Sequence, residues 1–446
     1  MTFNMKVSTF SACTALIAFS VSAIAQITTP EKPTIELIEL VNKQGAVGAV
    51  EVPLQAPACG VQNVEWIQSS GPASAEITGT GPDSIALVSE PGNYQFELSC
   101  CVAEGSNNRV QRLISSPDRI GYGAKATGGA AADSFTRVTS TKNDGPGTLR
   151  AAMLASGPRW IVFDESIHGE TIFLESSINV QEPDLTIDGS GAGITISPVN
   201  GGDFPLLVFR GGNSIIHGIT IDGRDFRSTS MLIREGDDYW VDHVTIFGNI
   251  FDDGIGIGQG SKGDTSASDV TISNYKAFDT NYGVLGGGED NIVNYPPYRV
   301  TIHKSSLGAR DRNPKIKNFG TAHVFNNHIH SFRFSGITAG ANSKIFSQNN
   351  VLSSRNANNS ASAIIGNTKN GGKSGIVYTS NDLLTDSAGS RGDVRSVTSE
   401  PFSIPYSYSL MEASEVVNHV LANAGADNVN LDGQACQTHR RSFNHE

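Results

Sequence analysis

Residues 322–350 read AHVFNNHIHSFRFSGITAGANSKIFSQNN, and this stretch contains one short pattern twice. Each copy is a β-type run followed by asparagines: Ala322–Phe325 before Asn326-Asn327, and Lys344–Ser347 before Asn349-Asn350. Further runs of this kind start roughly 22 to 32 residues apart, a spacing typical of stacked repeats. They are Ser214–Ile221, Tyr239–Ile246, Asp269–Ser273, Arg299–His303 and Gly375–Thr379.

This recurrence predicts stacked coils. One coil cannot bury its apolar face alone, so neighbouring coils must stack to build a continuous core. Several runs end in asparagine, at Asn274, Asn326-Asn327, Asn349-Asn350 and Asn381, which predicts a ladder of hydrogen-bonded asparagine side chains at one corner of successive coils. An antiparallel sandwich is the alternative, but no Asn-Gly or Asp-Gly hairpin turn joins neighbouring runs.

A separate β-rich unit precedes the coils. Runs divided by Gly and Pro extend from about residue 33 to residue 115, and we place this domain at 26–117 and the coiled domain at 118–446. Residues 65–72 (EWIQSSGP) and 92–96 (GNYQF) resemble the polycystic-kidney-disease-type immunoglobulin-like sandwich. The resemblance implies a small β-sandwich that serves as a spacer or a carbohydrate-side accessory.

The first 25 residues have the pattern of a signal peptide. Lys6 precedes a short apolar run that ends with small residues at Ala23 and Ala25. A membrane anchor is the alternative, but the run is shorter than the roughly 20 residues that cross a bilayer. We therefore expect export, extracellular or periplasmic, in which Cys59, Cys100, Cys101 and Cys436 are able to form disulfides of undetermined pairing.

The chain has a formal net charge of −12, which argues against a nucleic-acid partner. No later run is long and apolar enough for a membrane span, and we expect a monomer without a membrane partner. An enzyme of this charge that acts on a polyanion needs a local basic cluster or a bridging cation.

Seven motifs in the coiled region resemble the pectate lyase superfamily and occur in its order, over about residues 120–352. They are Gly121-Tyr122-Gly123 with Thr127-Gly128-Gly129, residues 143–152 (NDGPGTLRAA), Trp160–Asp164, Leu185–Gly191, Trp240-Val241-Asp242-His243, Asp269–Asn274, and Arg312–Lys317 followed by His323–Asn327. The resemblance implies an all-β fold, a right-handed parallel β-helix, and secreted cleavage of pectate or pectin by β-elimination to unsaturated oligogalacturonides.

In that reaction a base removes the C5 proton next to the sugar carboxyl, and cationic groups stabilise the charge that develops there. The resemblance makes Arg312 the base and places Lys315 and Lys317 where basic residues bind substrate carboxylates. An arginine is an unusual base because its pKa ordinarily exceeds about 12, so a transiently neutral guanidine is implied. Alternation along a strand puts Lys315 and Lys317 on one face. We interpret Asp242, His243 and Trp240 as structural.

The family's Ca²⁺ cofactor is where this chain departs from the pattern. Asp252 and Asp253 are retained as candidate metal ligands, but Gly256 stands at the second acidic position and residues 228–231 contain no acid. Calcium takes about six to eight oxygen ligands. Three outcomes stay open: calcium that arrives with substrate, a calcium-independent pectin lyase, or an inactive relative.

Two further functions remain as alternatives. One is a β-helix glycoside hydrolase, for which Asp252-Asp253 is the candidate acid pair, although no Gly-His-Gly motif accompanies it. The other is a non-catalytic polysaccharide-binding protein. Elimination forms a conjugated double bond that absorbs ultraviolet light. Hydrolysis and non-catalytic binding form no such bond, so product absorbance distinguishes the three functions.

Overall fold

A computed structural model describes residues 118–199, 202–223, 227–258, 267–288, 296–354, 362–366, 375–385 and 397–426, together with the backbone of strands between residues 16 and 100. The chain divides into two compact units: residues 1–116 with 430–446, and residues 117–429. The predicted signal peptide and the four cysteines lie outside the residues whose side chains are described.

The first unit contains two antiparallel sheets. One holds, in spatial order, Leu16–Phe19, Leu37–Val41, Asn93–Cys100 and Val64–Ser70; the other holds Val50–Gln55, Asp83–Val88 and Glu76–Thr78. Its assignment to the immunoglobulin-like class stays a prediction.

The second unit is a parallel β-solenoid, so the predicted fold class is confirmed. Its described strands form three parallel sheets, here named A, B and C. Sheet A contains Phe135–Val138, Arg159–Phe163, Leu185–Asp188, Ser214–His217, Gly236–Asp242, Ala267–Ser273, Tyr298–His303, Gly320–Phe325, Lys344–Gln348 and Ile376–Ser380. Sheet B contains Thr171–Leu174, Thr195–Pro198, Thr220–Asp222, Thr245–Phe247, Lys276–Phe278, Ser306–Gly308, His328–His330, Val351–Ser353 and Leu383–Thr385. Sheet C contains Ile178–Val180, Leu207–Phe209, Met231–Ile233, Asp253–Ile257, Tyr282–Gly286, Lys315–Ile316, Ser335–Ala339 and Ser362–Gly366.

From Arg159–Phe163 to Ser362–Gly366, each coil contributes one strand to sheet A, then one to B, then one to C. The runs predicted from the sequence all fall in sheet A, some continuing into sheet B, because their central apolar residues alternate into the core. Inward residues such as Val270, Val300, Ala322 and Ile345 stack directly above one another in parallel register and are fully buried. This row makes the core continuous from coil to coil.

The corner between sheets A and B contains the predicted ladder. Its first residue is left-handed, with φ of 48° at Asn274, 55° at Asn326 and 48° at Asn349, a conformation that asparagine tolerates better than most residues. The second residue carries the ladder: the Ser305 amide donates to Asn327 Oδ1 (2.9 Å) and the Asn327 amide donates to Asn350 Oδ1 (2.9 Å). The bonded side chains therefore come one residue later than the left-handed asparagines.

Asp382 occupies the ladder position after Asn350. Its Oδ1 accepts the amide of Asn350 (2.8 Å) and its Oδ2 accepts the hydroxyl of Ser347 (2.6 Å). Burial raises the pKa of Asp382 from 3.8 to about 6, against the opposing effect of these hydrogen bonds. The folded protein thus binds this proton more tightly than the unfolded chain does.

Replacement of Asp382 by asparagine is expected to remove one pH-dependent contribution to stability. Because the folded pKa is raised, the native carboxyl favours folding below pH 3.8 and this advantage is lost as the pH rises to about 6. Asp382→Asn is therefore expected to be more stable than wild type at pH 7, by about 2 kcal/mol, and equal to it near pH 4. Urea unfolding at both pH values measures the difference. The exposed Asp237→Asn variant is the control, and an equal effect of both substitutions would contradict the prediction.

Glycine explains why a segment before the first coil packs tightly on sheet A. A Cβ on Gly123 would lie 2.0 Å from the carbonyl oxygen of Tyr239, and a Cβ on Gly129 would lie 2.1 Å from that of Arg159. Their amides donate to Thr271 and Thr186, at 3.0 and 2.9 Å. These contacts give the two glycine motifs at 121–129 a structural reason.

Helices and a C-terminal segment complete the unit. Helix Leu149–Met153, capped by Thr148, contributes to the solenoid core, and helix Ala413–Asn423 packs Val416 and Val420 against Val351 of sheet B. Short 3-10 helices lie at Tyr122–Lys125, Gly128–Ala131 and Glu165–Ile167. Within the described part of the chain, every helix is too short or too polar to cross a bilayer.

Candidate active site

Arg312 lies at the entrance to a strand of sheet C. It forms an isolated parallel bridge with Tyr282 of the preceding coil, and Asp253 pairs with Tyr282 one coil earlier. Asp253, Tyr282 and Arg312 therefore follow one line across three coils, with Asp253 and Arg312 two strand spacings, roughly 10 Å, apart. The side chain of Arg312 is 18% exposed, so it is held by the protein and still reaches the surface.

The Arg312 guanidinium is fixed by its neighbours. Its Nη1 donates to the hydroxyl of Tyr282 (2.8 Å) and lies 3.6 Å from Oδ2 of Asp311. Its Cζ lies 5.3 Å from the ring centre of Tyr282 and 5.9 Å from that of Phe334. Burial raises the pKa of Tyr282, partly offset by the Arg312 charge, so the accepting hydroxyl is neutral at neutral pH.

The two lysines proposed from the sequence follow Arg312 directly. Ile316 between them is fully buried in the core, so alternation places Lys315 and Lys317 on the outer face. Both are more enclosed than a solvated lysine, at 7% and 8% exposure. A Cβ on Gly340 would lie 2.6 Å from the Cβ of Lys317, so glycine at 340 leaves the room that Lys317 occupies.

The retained acids do not fit a calcium site by themselves. Asp253 is buried, whereas Asp252 is partly exposed and its Oδ1 accepts the amide of Asp253 (2.9 Å). Burial raises the pKa of Asp252, which disfavours the charged form that calcium requires. Among the described residues, no third carboxylate or histidine completes a cluster with them. Two carboxylates fall short of about six to eight oxygen ligands.

Sequence reasoning missed three residues around Arg312. One of them is Tyr282, the hydrogen-bond acceptor of Arg312 Nη1. Arg333 and Phe334 lie in the turn before Ser335–Ala339, with 45% of the Arg333 side chain and 48% of Phe334 exposed. Arg333 Nη2 lies 3.9 Å from Oδ1 of Asp311, so Arg312 and Arg333 share one carboxylate. Arg312 and Arg333 meet at Asp311, and Lys315 and Lys317 follow Arg312 within five residues; these four residues of an acidic chain are here named the basic cluster.

A sequence signal for Tyr282 did exist. The runs that begin at Asp269 and Arg299 start 30 residues apart, since 299 − 269 = 30, and the same offset counted back from Arg312 gives Tyr282. Arg333 and Phe334 carried no such signal, because the turns between sheets B and C vary in length.

A second polar cluster is centred on the buried carboxylate of Asp242 in sheet A. Its Oδ2 accepts from Nδ1 of His217 (3.0 Å) and Nδ1 of His243 (2.7 Å), with the protons so placed. Its Oδ1 accepts from Ser273 Oγ (2.6 Å) and Asn274 Nδ2 (3.0 Å). Among the described residues this is the group of three ligand-type side chains close enough to hold a metal ion. Both oxygens of Asp242 accept two hydrogen bonds each, and these bonds connect three successive coils.

The electrostatics of this cluster follow from its burial and pairing. Burial by itself raises the pKa of Asp242, but the charges and hydrogen bonds of His243 and His217 outweigh it and hold that pKa well below its usual range. Burial lowers the pKa of His217, but its hydrogen bond to Asp242 reverses this and raises the pKa above 6.5. This agrees with the interpretation of Asp242 and His243 as structural residues.

Comparison with known proteins identifies the family to which this chain is similar. The family model described as pectate lyase matches residues 199–429, just over half of the 446-residue chain. A putative pectate lyase of Arabidopsis thaliana is 30% identical over 301 residues, covering 63% of this chain and 71% of that protein. A pectin lyase of Pectobacterium carotovorum is 31% identical over 234 residues, covering 50% and 67%.

Solved structures share the fold. The major allergen of cedar pollen superposes with a TM-score of 0.54 at 22% identity, covering 69% of this chain and 92% of the other. A pectate lyase of Bacillus sp. N165, solved with trigalacturonate, gives 0.52 at 18% identity, covering 70% and 99%. With the matched family model, the curated relatives and the parallel solenoid taken together, this chain belongs to the pectate lyase family of polysaccharide lyases.

Proposed function

We propose that the second unit cleaves pectic polysaccharide by β-elimination, with Arg312 as the base. The observation that carries the proposal is the placement of the Arg312 guanidinium, fixed from both neighbouring coils and still partly exposed, within the basic cluster of Arg333, Lys315 and Lys317. The relatives named as pectate and pectin lyases support the substrate class.

The reaction uses the residues in separate roles. Arg312 first loses one proton to solvent, and its neutral guanidine then takes the proton from C5 of a uronate ring. The electron pair of the C5–H bond forms the C4–C5 double bond, and the C4–O bond breaks. The leaving oxygen takes a proton from solvent. Negative charge develops on the C6 carboxyl, and the ammonium groups of Lys315 and Lys317 stabilise it electrostatically. The overall charge of −12 makes this local basic cluster necessary for a polyanionic substrate.

Calcium remains a prediction in which Asp252 and Asp253 contribute two ligands and substrate carboxylates supply others. The carboxylates of Asp252 and Asp253 do not hold the calcium ion by themselves, so no step of the proposed reaction depends on calcium. Secretion, a monomeric state and an immunoglobulin-like first domain are likewise proposed from the sequence.

The decisive assay follows ultraviolet absorbance of the product. The full chain is incubated with polygalacturonate and with methyl-esterified pectin, each with calcium and with chelator. Elimination is expected to produce the conjugated double bond on at least one substrate. If the bound cation is required, the chelator abolishes the signal; if the site is calcium-independent, the signal with pectin persists.

The same assay separates the other functions. New reducing ends without absorbance would indicate hydrolysis, and binding without either product would indicate a polysaccharide-binding protein. Both results contradict the proposal.

A further inference from the structure

The Arg312 guanidinium stands between two aromatic rings that come from different coils. Tyr282 precedes it by one coil and Phe334 follows it in the turn before the next sheet C strand, with ring centres 5.3 and 5.9 Å from Cζ. Cations favour positions over aromatic faces within about 6 Å. The rings therefore restrict the guanidinium from both sides.

Its polar anchoring depends on Tyr282. In the part of the chain that the structure describes, the bond from Nη1 to the Tyr282 hydroxyl (2.8 Å) is the hydrogen bond that the guanidinium makes. The contact to Asp311 is longer, at 3.6 Å, and the buried Nε has no hydrogen-bond partner among the same residues. Without the hydroxyl, neither ring nor Asp311 defines how the group is rotated.

Orientation matters because proton abstraction requires the accepting nitrogen in line with the C5–H bond. A misplacement of about 1 Å costs roughly 100-fold in rate. We propose that Tyr282 is a positioning residue for Arg312, which aims the guanidinium at the reacting carbon through its hydroxyl. The inference rests on the proposed function and extends it to a residue outside the motif that identified Arg312.

Tyr282→Phe tests the hydroxyl while it keeps the ring. For the full chain acting on the better pectic substrate, kcat is expected to fall about 10- to 100-fold while KM changes less than about threefold. Tyr239→Phe is the matched control, because this variant also loses a hydrogen-bonded tyrosine hydroxyl, which accepts from the amide of Gly212 and donates to the carbonyl of Glu235. Its kcat is expected to stay within about twofold of wild type.

A double-mutant cycle separates positioning from a general structural effect. In an Arg312→Ala background no guanidinium remains to be oriented, so adding Tyr282→Phe is expected to lower the residual rate by less than about twofold. A loss that multiplies fully in both backgrounds would overturn the inference. Thermal unfolding of Tyr282→Phe is measured alongside the kinetics. If this variant fails to fold, Phe334→Leu tests the inference in its place. Its kcat is expected to fall several-fold, and no such loss is expected in the Arg312→Ala background.

The outcomes distinguish the two proposals. A wild-type chain that forms no absorbing product removes the proposed function and this inference with it. An active wild type together with a Tyr282→Phe variant of unchanged kcat removes only the inference.

Discussion

Arg312→Ala is expected to lower kcat/KM on pectic substrate by about 10²- to 10⁴-fold, the range in which a positioned base contributes. The substitution removes the group that accepts the C5 proton, and the neighbouring Lys315 and Lys317 lack the position to replace it because they project from a strand beyond the entrance where Arg312 lies. The measurement is the initial rate of ultraviolet absorbance, with substrate binding followed separately.

Two variants make this result specific. Arg312→Lys keeps the positive charge but loses the planar group that donates to Tyr282, so its rate is expected to stay within about tenfold of Arg312→Ala. Arg137→Ala removes an exposed arginine from the first strand of sheet A and is expected to leave the rate unchanged. Arg312→Ala with wild-type activity would remove this arginine from the mechanism, whatever the fold.

The second large effect is on stability. Asp242→Ala is expected to lower the free energy of unfolding of the solenoid by about 3–5 kcal/mol, the cost of removing one partner from a buried charged pair. Four donors lose their acceptor at once: the rings of His217 and His243, the hydroxyl of Ser273 and the amide of Asn274. Urea unfolding followed by fluorescence reports it, since buried Trp240 donates to Ser273 beside the cluster.

Asp237→Ala is the control for this prediction, because Asp237 is an exposed aspartate of the same strand and is expected to change stability by less than about 0.5 kcal/mol. The cluster also has a pH signature. His217 has a raised pKa in the folded state, so its stabilisation is complete below pH 6.5 and is lost as the pH rises through the folded value. Equal unfolding curves for Asp242→Ala and Asp237→Ala would show that the cluster contributes nothing.

The solenoid itself was predictable from the sequence, because its periodicity is local. Each run alternates apolar residues toward one face, and the spacing of the runs sets the length of a coil, so the pattern is readable one coil at a time. The corner asparagines were predicted as a ladder, and the structure places its bonds on the second residue of each corner, where the amides of Ser305 and Asn327 donate to the side chains of Asn327 and Asn350. The two neighbouring residues of a corner differ in backbone conformation, and the amino-acid sequence does not show which of them makes the ladder bonds.

The site was predictable only in part. Arg312, Lys315 and Lys317 lie in one continuous segment of the sequence, so a sequence motif could identify all three. Tyr282 contacts Arg312 from the preceding coil and Phe334 contacts it from the turn before the next strand of sheet C, so these contacts depend on which residues stack between coils.

By itself, the sequence determined that this chain builds stacked parallel coils, that it carries the Arg312 segment of its family, and that its acidic positions for calcium are incomplete. Only the tertiary structure decided that Tyr282 and Phe334 enclose the Arg312 guanidinium and that His217, Asp242 and His243 meet in one buried cluster. The physical reason is register: strand pairing brings residues 25 to 30 positions apart to within hydrogen-bonding distance, and a shift of one residue would have sent each side chain to the opposite face of the sheet.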